Sequence, residues 1–328
     1  MGAVKQANGV RKSLSTQRIT GERVVVFGGA GFIGSHAVSA LLDLGAEVVV
    51  FDRTPPHERV VADIEVLTGD IRDRDAVESA VAGSSSIFAL AGRSGATASI
   101  ADPLGDLELG PWAQLVLLES VRAVAPDASV IFPGSRLEFG KPNSLPVSES
   151  HPLHGASPYA IDKSTCAAYY AMYARLHSLN TMVLRLSNPY GPHLNAGAFS
   201  GFGILNYFID LALKGETITL YGDGSQLRDL VYIDDVIDAL IIAASAPVPG
   251  EALNVGAGAG VSLADAARLA VEVAGSGRIE MVPWPPDAHA VETGDFYFDI
   301  TRARQLLGWA PKVGLREGLE RTVAKMRS

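Results

Sequence analysis

The chain has 328 residues, 48% of them hydrophobic and 19% charged, which is the composition of a folded core sized for one large domain or two modest ones. A net charge of −9 argues against general nucleic-acid binding, and no apolar run reaches the roughly 18 residues that suggest a membrane span. A single cysteine, Cys166, excludes an internal disulfide framework and suits a reducing, cytoplasmic setting.

Residues 1–20, "MGAVKQANGVRKSLSTQRIT", are basic and polar without the apolar stretch of a secretion signal, and read as a mobile tail. From residue 23 onward, strand and helix signals alternate. "RVVVFG" is a short β-branched strand of the kind buried on both faces, and "FIGSHAVSALLDLG" is a helix closed by Gly45. "AEVVVFD" and "DIEVLTGD" follow as strands, "RDAVESAVAG" as a helix, "SSIFALAG" as a strand, "PWAQLVLLESVRAVAP" as an amphipathic helix and "ASVIF" as a fifth strand. A long helix covers "SPYAIDKSTCAAYYAMYARLHSL", and "TMVLRLS" is the strand after it. The alternation predicts an α/β fold with a doubly wound parallel sheet and helices on both faces.

Glycine, proline, asparagine and aromatics then crowd residues 188–203, the texture of long functional loops. Beyond them "ILNYFIDLALKG", "DDVIDALIIAASA", "SLADAARLAVEVAG" and "TRARQLLG" read as helices, and "TITLYG" and "EALNVG" as strands. The expected organisation is a main unit over 21–187, rejoined by 229–257, and a smaller lobe built from 188–228 and 258–328.

"VVVFGGAGFIGSHAV" places glycines at 28, 29, 31 and 34 between the first strand and its helix. Small residues permit a tight turn and let backbone approach a pyrophosphate, and the helix start offers N–H groups and a positive dipole end to the anion. Asp52, ending the next strand, can accept hydrogen bonds from both hydroxyls of an adenosine ribose and repels a 2′-phosphate. NAD is therefore favoured over NADP, although the neighbouring Arg53 is of a type that accepts that phosphate. The candidate cofactor residues are Gly28, Gly31, Phe32, Ile33 and Gly34; Asp52 and Arg53; Asp70 and Ile71 after the third strand; and Leu90 and Ala91 after the fourth.

"SPYAIDKS" opens the long helix with Tyr159 and Lys163 four residues apart, so both lie on one face. A phenol needs help to act as a base near neutral pH, and an adjacent ammonium and a cationic nicotinamide ring supply it. Tyr159 is the candidate general base toward a hydroxyl, or acid toward a ketone, and Lys163 also orients the nicotinamide ribose. Ser135, in "GSRLEFG" at the end of the fifth strand, is the third candidate.

Taken together, "GGAGFIG", Asp52, the "GD" at 69–70, "GSRLEFG", "YAIDK", "NPYGP", "YGDGSQLRDLVYIDD" and "LLGWAPK" resemble the extended short-chain dehydrogenase/reductase superfamily, in its NAD-dependent nucleotide-sugar epimerase/dehydratase branch. The resemblance runs in order along nearly the whole chain after residue 20. It implies a Rossmann domain with tightly bound NAD and a C-terminal lobe holding a nucleotide diphosphate sugar. It implies Ser135, Tyr159 and Lys163 as the catalytic set, Asn188 in "NPYGP" as a substrate-loop contact and Arg228 in "QLRD" as a diphosphate contact. It also implies a homodimer formed through the two helices at 112–124 and 159–178.

Departures from the family pattern narrow the chemistry. The family's 4,6-dehydratases carry an Asp-Glu pair directly after the serine or threonine, and its decarboxylases tend to keep the glutamate. Here those positions are Arg136 and Leu137, and Glu138 falls one residue later, on the opposite side if the stretch is extended. Glu292 stands where many relatives have an arginine, and Gly110 where an asparagine is common. The expected function is epimerisation of a nucleotide diphosphate sugar at C4 through a transient 4-keto sugar. The alternatives are reduction of a 4-keto sugar nucleotide and non-catalytic redox sensing. No metal is expected: His151 and His154 lack a second ligand pair and are expected to face solvent or lie beside the substrate. Cys166 reads as a small packing residue, Trp112, Trp284 and Trp309 as core or interface aromatics, and the acidic start of "DDVIDAL" as helix capping.

Overall fold

The computed structural model describes residues 19–55, 64–93, 95–193, 203–246, 248–285 and 292–327. Most of the expected tail, residues 1–18, and the loop segment 194–202 lie outside them.

The first half builds β1 (Arg23–Phe27), α1 (Phe32–Asp43), β2 (Glu47–Asp52), β3 (Glu65–Thr68), α2 (Arg74–Val81), β4 (Ser86–Ala89), α3 (Ala96–Ala101), α4 (Pro103–Leu107), α5 (Ala113–Val124), β5 (Ser129–Ser135), α6 (Pro158–His177) and β6 (Asn180–Leu186). Alternate residues of β1 feed two different cores. Val24 and Val26 pack with Ala37, Val38 and Leu41 of α1, whereas Val25 and Phe27 pack with Val77 of α2, Leu117 of α5 and Tyr170 of α6. A strand buried on both faces reads as an unbroken apolar run, which is what "VVVF" is. The sheet is seven-stranded in the order β11-β6-β5-β4-β1-β2-β3, with every pair parallel. Strand order reverses between β1 and β4, so a crevice opens at the carboxyl ends of those strands.

The rest comprises β7 (Asn188–Tyr190), α7 (Ile204–Leu213), β8 (Thr217–Tyr221), β9 (Leu227–Arg228), β10 (Leu230–Tyr232), α8 (Ile233–Ala244), β11 (Ala252–Val255), β12 (Val261–Ser262), α9 (Leu263–Ala274), β13 (Arg278–Val282), α10 (Thr301–Leu307) and α11 (Leu315–Arg327). β11 joins the large sheet beside β6, and α8 packs in the same core as α1. The remaining strands form three two-stranded pairs, β7 with β10, β8 with β13 and β9 with β12.

Several local expectations change. Asp235 is not a helix cap: buried at 2% exposure, its carboxylate accepts the Lys312 and Val313 N–H groups, and its carbonyl accepts from the Trp309 indole. The acid docks the C-terminal segment onto α8. His151 is buried rather than solvent-facing: one ring nitrogen accepts the Asn143 N–H and the other meets the Pro152 carbonyl. Two short helices, α3 and α4, precede a wide turn at 108–112, where Gly110 has a non-helical backbone and Pro111 offers no N–H. Trp309 is a core residue and Trp112 is exposed.

Candidate active site

The glycine loop is shaped by contacts that admit no side chain. Gly28 has φ of +79°, and a Cβ there would sit 2.7 Å from the Ala91 nitrogen. A Cβ on Gly34 would collide with the Gly28 carbonyl. The loop therefore lies flat between the ends of β1 and β4, beside Leu90 and Ala91. No side chain caps α1, so its N-terminus is open to an anion. Asp52 closes the rim, accepting the Ala30 N–H at 3.0 Å through Oδ2 and the Thr54 N–H at 3.2 Å through Oδ1. Arg53 is exposed beside it, and Ile71 is buried in the core. The Asp70 carboxylate is bound by Arg72, whose guanidinium holds it at about 2. A turn that excludes side chains, an uncapped helix start and a carboxylate at the end of β2 fit a dinucleotide.

Ser135 ends β5, buried at 9% exposure. The chain after it does not stay extended: residues 136–139 form a 3₁₀ turn with a capping box. Ser135 Oγ accepts the Leu137 N–H at 3.2 Å, while Glu138 Oε1 accepts the Ser135 N–H at 2.7 Å. Glu138 is fully buried and its other oxygen takes a 2.8 Å bond from Arg185 Nε on β6. Glu138 thus fixes the serine from behind. The pattern Ser-x-x-Glu carried that signal, and reading the stretch as extended missed it.

Tyr159 and Lys163 lie in the first turns of α6, which starts at the Ser157 cap. Lys163 Nζ donates to the Pro133 carbonyl at 2.7 Å and lies 4.3 Å from the Phe132 ring centroid and 5.7 Å from that of Tyr159. This bond ties α6 to β5 two residues before Ser135. Tyr159 is half-buried, and its hydroxyl has no partner among the described residues, which leaves it available to a substrate hydroxyl. A cavity beside the pair is lined by Gly92, Asp106, Gly110, Gln114, Asp162 and Lys163, among others. Burial and the neighbouring Asp106 push Asp162 up to about 6, and burial also raises Asp106. Asp162 packs against the face of Gly110 where a larger side chain would stand. Cys166 lines the same cavity, and burial pushes its thiol up to about 12, which makes it inert.

On the far side of Ser135 lies a polar cluster drawn from four segments. Asn188 donates to the Asp229 carbonyl at 2.9 Å and accepts from Arg136 Nε at 3.1 Å. Arg136 Nη1 donates to Thr293 at 3.1 Å, and its guanidinium lies over the Phe296 ring. Arg228 is 6% exposed and engaged by Glu292 through both carboxylate oxygens, at 2.7 and 2.9 Å, and by the Leu227 and Gly294 carbonyls. The carboxylate at 292 therefore occupies Nη2 of the arginine expected to meet a diphosphate. Asp229, fully buried, accepts from Ser187 and from the Ala257, Gly258 and Phe298 N–H groups. Among the described residues no group of three His, Cys, Asp or Glu side chains is arranged to hold a metal.

Residues 24–256 match the model of the NAD dependent epimerase/dehydratase family. The chain belongs to this family. The UDP-glucose 4-epimerase of Mycolicibacterium smegmatis is 33% identical over 317 residues, covering 93% of this chain and 99% of that one. The putative UDP-glucose 4-epimerase of Methanocaldococcus jannaschii is 30% identical over 308 residues, covering 93% and 98%. Among solved structures, the Thermus thermophilus UDP-glucose 4-epimerase in complex with NAD is 30% identical, superposes with a TM-score of 0.83 and covers 93% of this chain and 99% of that one. The cradle and the family agree on NAD as cofactor, and the chain is an enzyme of this family.

Proposed function

We propose that this chain is an NAD-dependent epimerase of a nucleotide diphosphate sugar, acting at C4 through a transient 4-keto intermediate. The observation that carries the reading is the end of β5. Ser135 stands two residues from the carbonyl that holds Lys163, and the acids needed for water loss are absent: Arg136 and Leu137 follow the serine, and Glu138 is locked to the Ser135 N–H and Arg185. NAD, held in the glycine-loop cradle, would supply the hydride acceptor and donor for the sugar carbon.

The chain's own groups handle the proton and the geometry. Gly28, Gly31, Phe32, Ile33 and Gly34 hold the pyrophosphate, Asp52 the adenosine ribose, and Lys163 the nicotinamide ribose. Asp70, Ile71, Leu90 and Ala91 flank the nucleotide. Tyr159 takes the C4 hydroxyl proton and gives it back, while Ser135 donates a hydrogen bond to the same oxygen. Asn188 and Arg228 anchor the substrate, with Arg228 leaving Glu292 as the diphosphate arrives. We further propose a homodimer through the helices around 112–124 and 159–178, where Trp112, Val124, Ile161 and Leu176 are exposed. A cytoplasmic location is consistent with the lone, buried Cys166 and with the lack, among the described residues, of a helix long and apolar enough to cross a membrane.

The test is incubation of the purified protein with UDP-, GDP-, CDP- and TDP-sugars without added cofactor, read by NMR. An epimer formed without net NADH change supports the proposal, and Tyr159→Phe should lower its rate by about 10²–10⁴. Turnover only with NADH and a keto sugar would make the enzyme a reductase. Bound NAD without either reaction would leave a redox sensor.

A further inference from the structure

The epimerisation scheme leaves one charge in the cleft without a task. Arg136 directly follows Ser135, is half-buried and makes hydrogen bonds only to neutral atoms, Asn188 Oδ1 and Thr293 Oγ1. Among the described residues it has no ion pair, and its Nη2 has no hydrogen-bond partner. The acids around it are committed elsewhere. Glu292 gives both oxygens to Arg228 and also accepts the Gly294 N–H, and Asp229 is surrounded by four donors. Arg136 lies within electrostatic reach of Arg228, Glu292, Asp229 and Tyr159, and burial together with Arg228 pushes it down to about 10. Two guanidinium groups therefore share a partly dehydrated cleft with Glu292, which is bonded to Arg228, and with Asp229, which is turned to four donors of its own. A desolvated cation without a counter-charge is costly to keep unless a ligand brings the missing anion.

We propose that Arg136 binds a carboxylate on the hexose, so that the preferred substrate is a nucleotide diphosphate uronic acid. The inference rests on the reading of this cleft as a nucleotide-sugar site. Its position beside Ser135, in reach of Tyr159, places the charge at the sugar ring rather than at the diphosphate, which falls to Arg228. Arg136 Nη2 is unpartnered among the described residues, and with the second N–H of Nη1 it can meet the oxygens of a carboxylate, whereas a neutral hydroxymethyl group brings no counter-charge. The Asn188 and Thr293 bonds and the Phe296 ring hold the guanidinium in orientation.

The experiment titrates the NAD-loaded, full-length protein with matched pairs, UDP-glucose against UDP-glucuronate and the same pair on TDP, and measures the ratio of affinities within each pair. The uronate should bind about 10- to 100-fold more tightly. Arg136→Met should bring the ratio to about one, with Arg136→Lys in between, both at unchanged NAD content. A wild-type ratio at or below one overturns the proposal, as does a preference that survives in both variants. Equal loss of both sugars in Arg136→Met makes the residue only a tether between Asn188 and Thr293, and overturns it as well. Failure of the epimerase reading shows separately: the sugars would bind with the expected ratio and yet not isomerise.

Discussion

The nucleotide cradle and the proposed sugar cleft are built on opposite plans. The cradle is made of backbone. Its shape follows from residues within one strand–turn–helix, where Gly28 and Gly34 leave no room for a Cβ. The cleft is made of side-chain pairs from distant segments: Arg136 with Thr293, Arg228 with Glu292, Glu138 with Arg185. A backbone site has no room for an added side chain, whereas a side-chain site can be rewired one residue at a time.

The sharpest way to break this contrast is Gly34→Val. The side chain would collide with the Gly28 carbonyl, so the protein should purify without NAD and show no detectable turnover. Retention of stoichiometric NAD, measured by absorbance after denaturation, would mean that backbone approach does not form the cradle.

Next in size is Glu138→Gln, which leaves an acceptor for the Ser135 N–H but strips Arg185 of its counter-charge inside the core. Breaking a buried ion pair from one side costs about 3–5 kcal/mol, readable as a lower midpoint in urea unfolding. An unchanged midpoint would show that the pair adds nothing to the wall behind the serine.

Glu292→Gln should act on binding rather than folding. It weakens the competitor for Arg228, and the KM for the nucleotide sugar should fall about three- to tenfold at similar kcat. A rise in KM would make Glu292 a substrate contact instead.

The smallest effect concerns Asp162, at the border of the two regions. Its native carboxyl titrates at about 6, above its ordinary value of 3.8. The native state therefore holds a proton that the unfolded chain has released between those values, and the stability this provides is lost as pH rises through about 6. Asp162→Asn cannot release that proton. Its melting temperature should gain on the wild type by about 1–2 °C between pH 4 and 7, and parallel curves would rule out the raised titration of Asp162.

The same contrast decides what the sequence revealed. The order of strands and helices, the glycine loop and the Tyr159–Lys163 spacing were legible because each depends on neighbours along the chain. The box joining Ser135 to Glu138 was legible too, but reading the stretch as extended hid it. The Arg228–Glu292 pair, the closeness of Asp106 to Asp162, and the unpartnered Nη2 of Arg136 were not, because each arises only when distant segments meet. The break at Gly110 and Pro111 was partly legible, since the predicted helix starts at Pro111, but the short helices before it were not read.

Hydride removal and return at one sugar carbon is tested most directly with a nucleotide sugar deuterated at C4, incubated without added cofactor. The epimer should carry the full deuterium label at C4, and the isotope should slow its formation. Loss of the label to solvent, or an epimer changed at another carbon, would contradict the proposed chemistry.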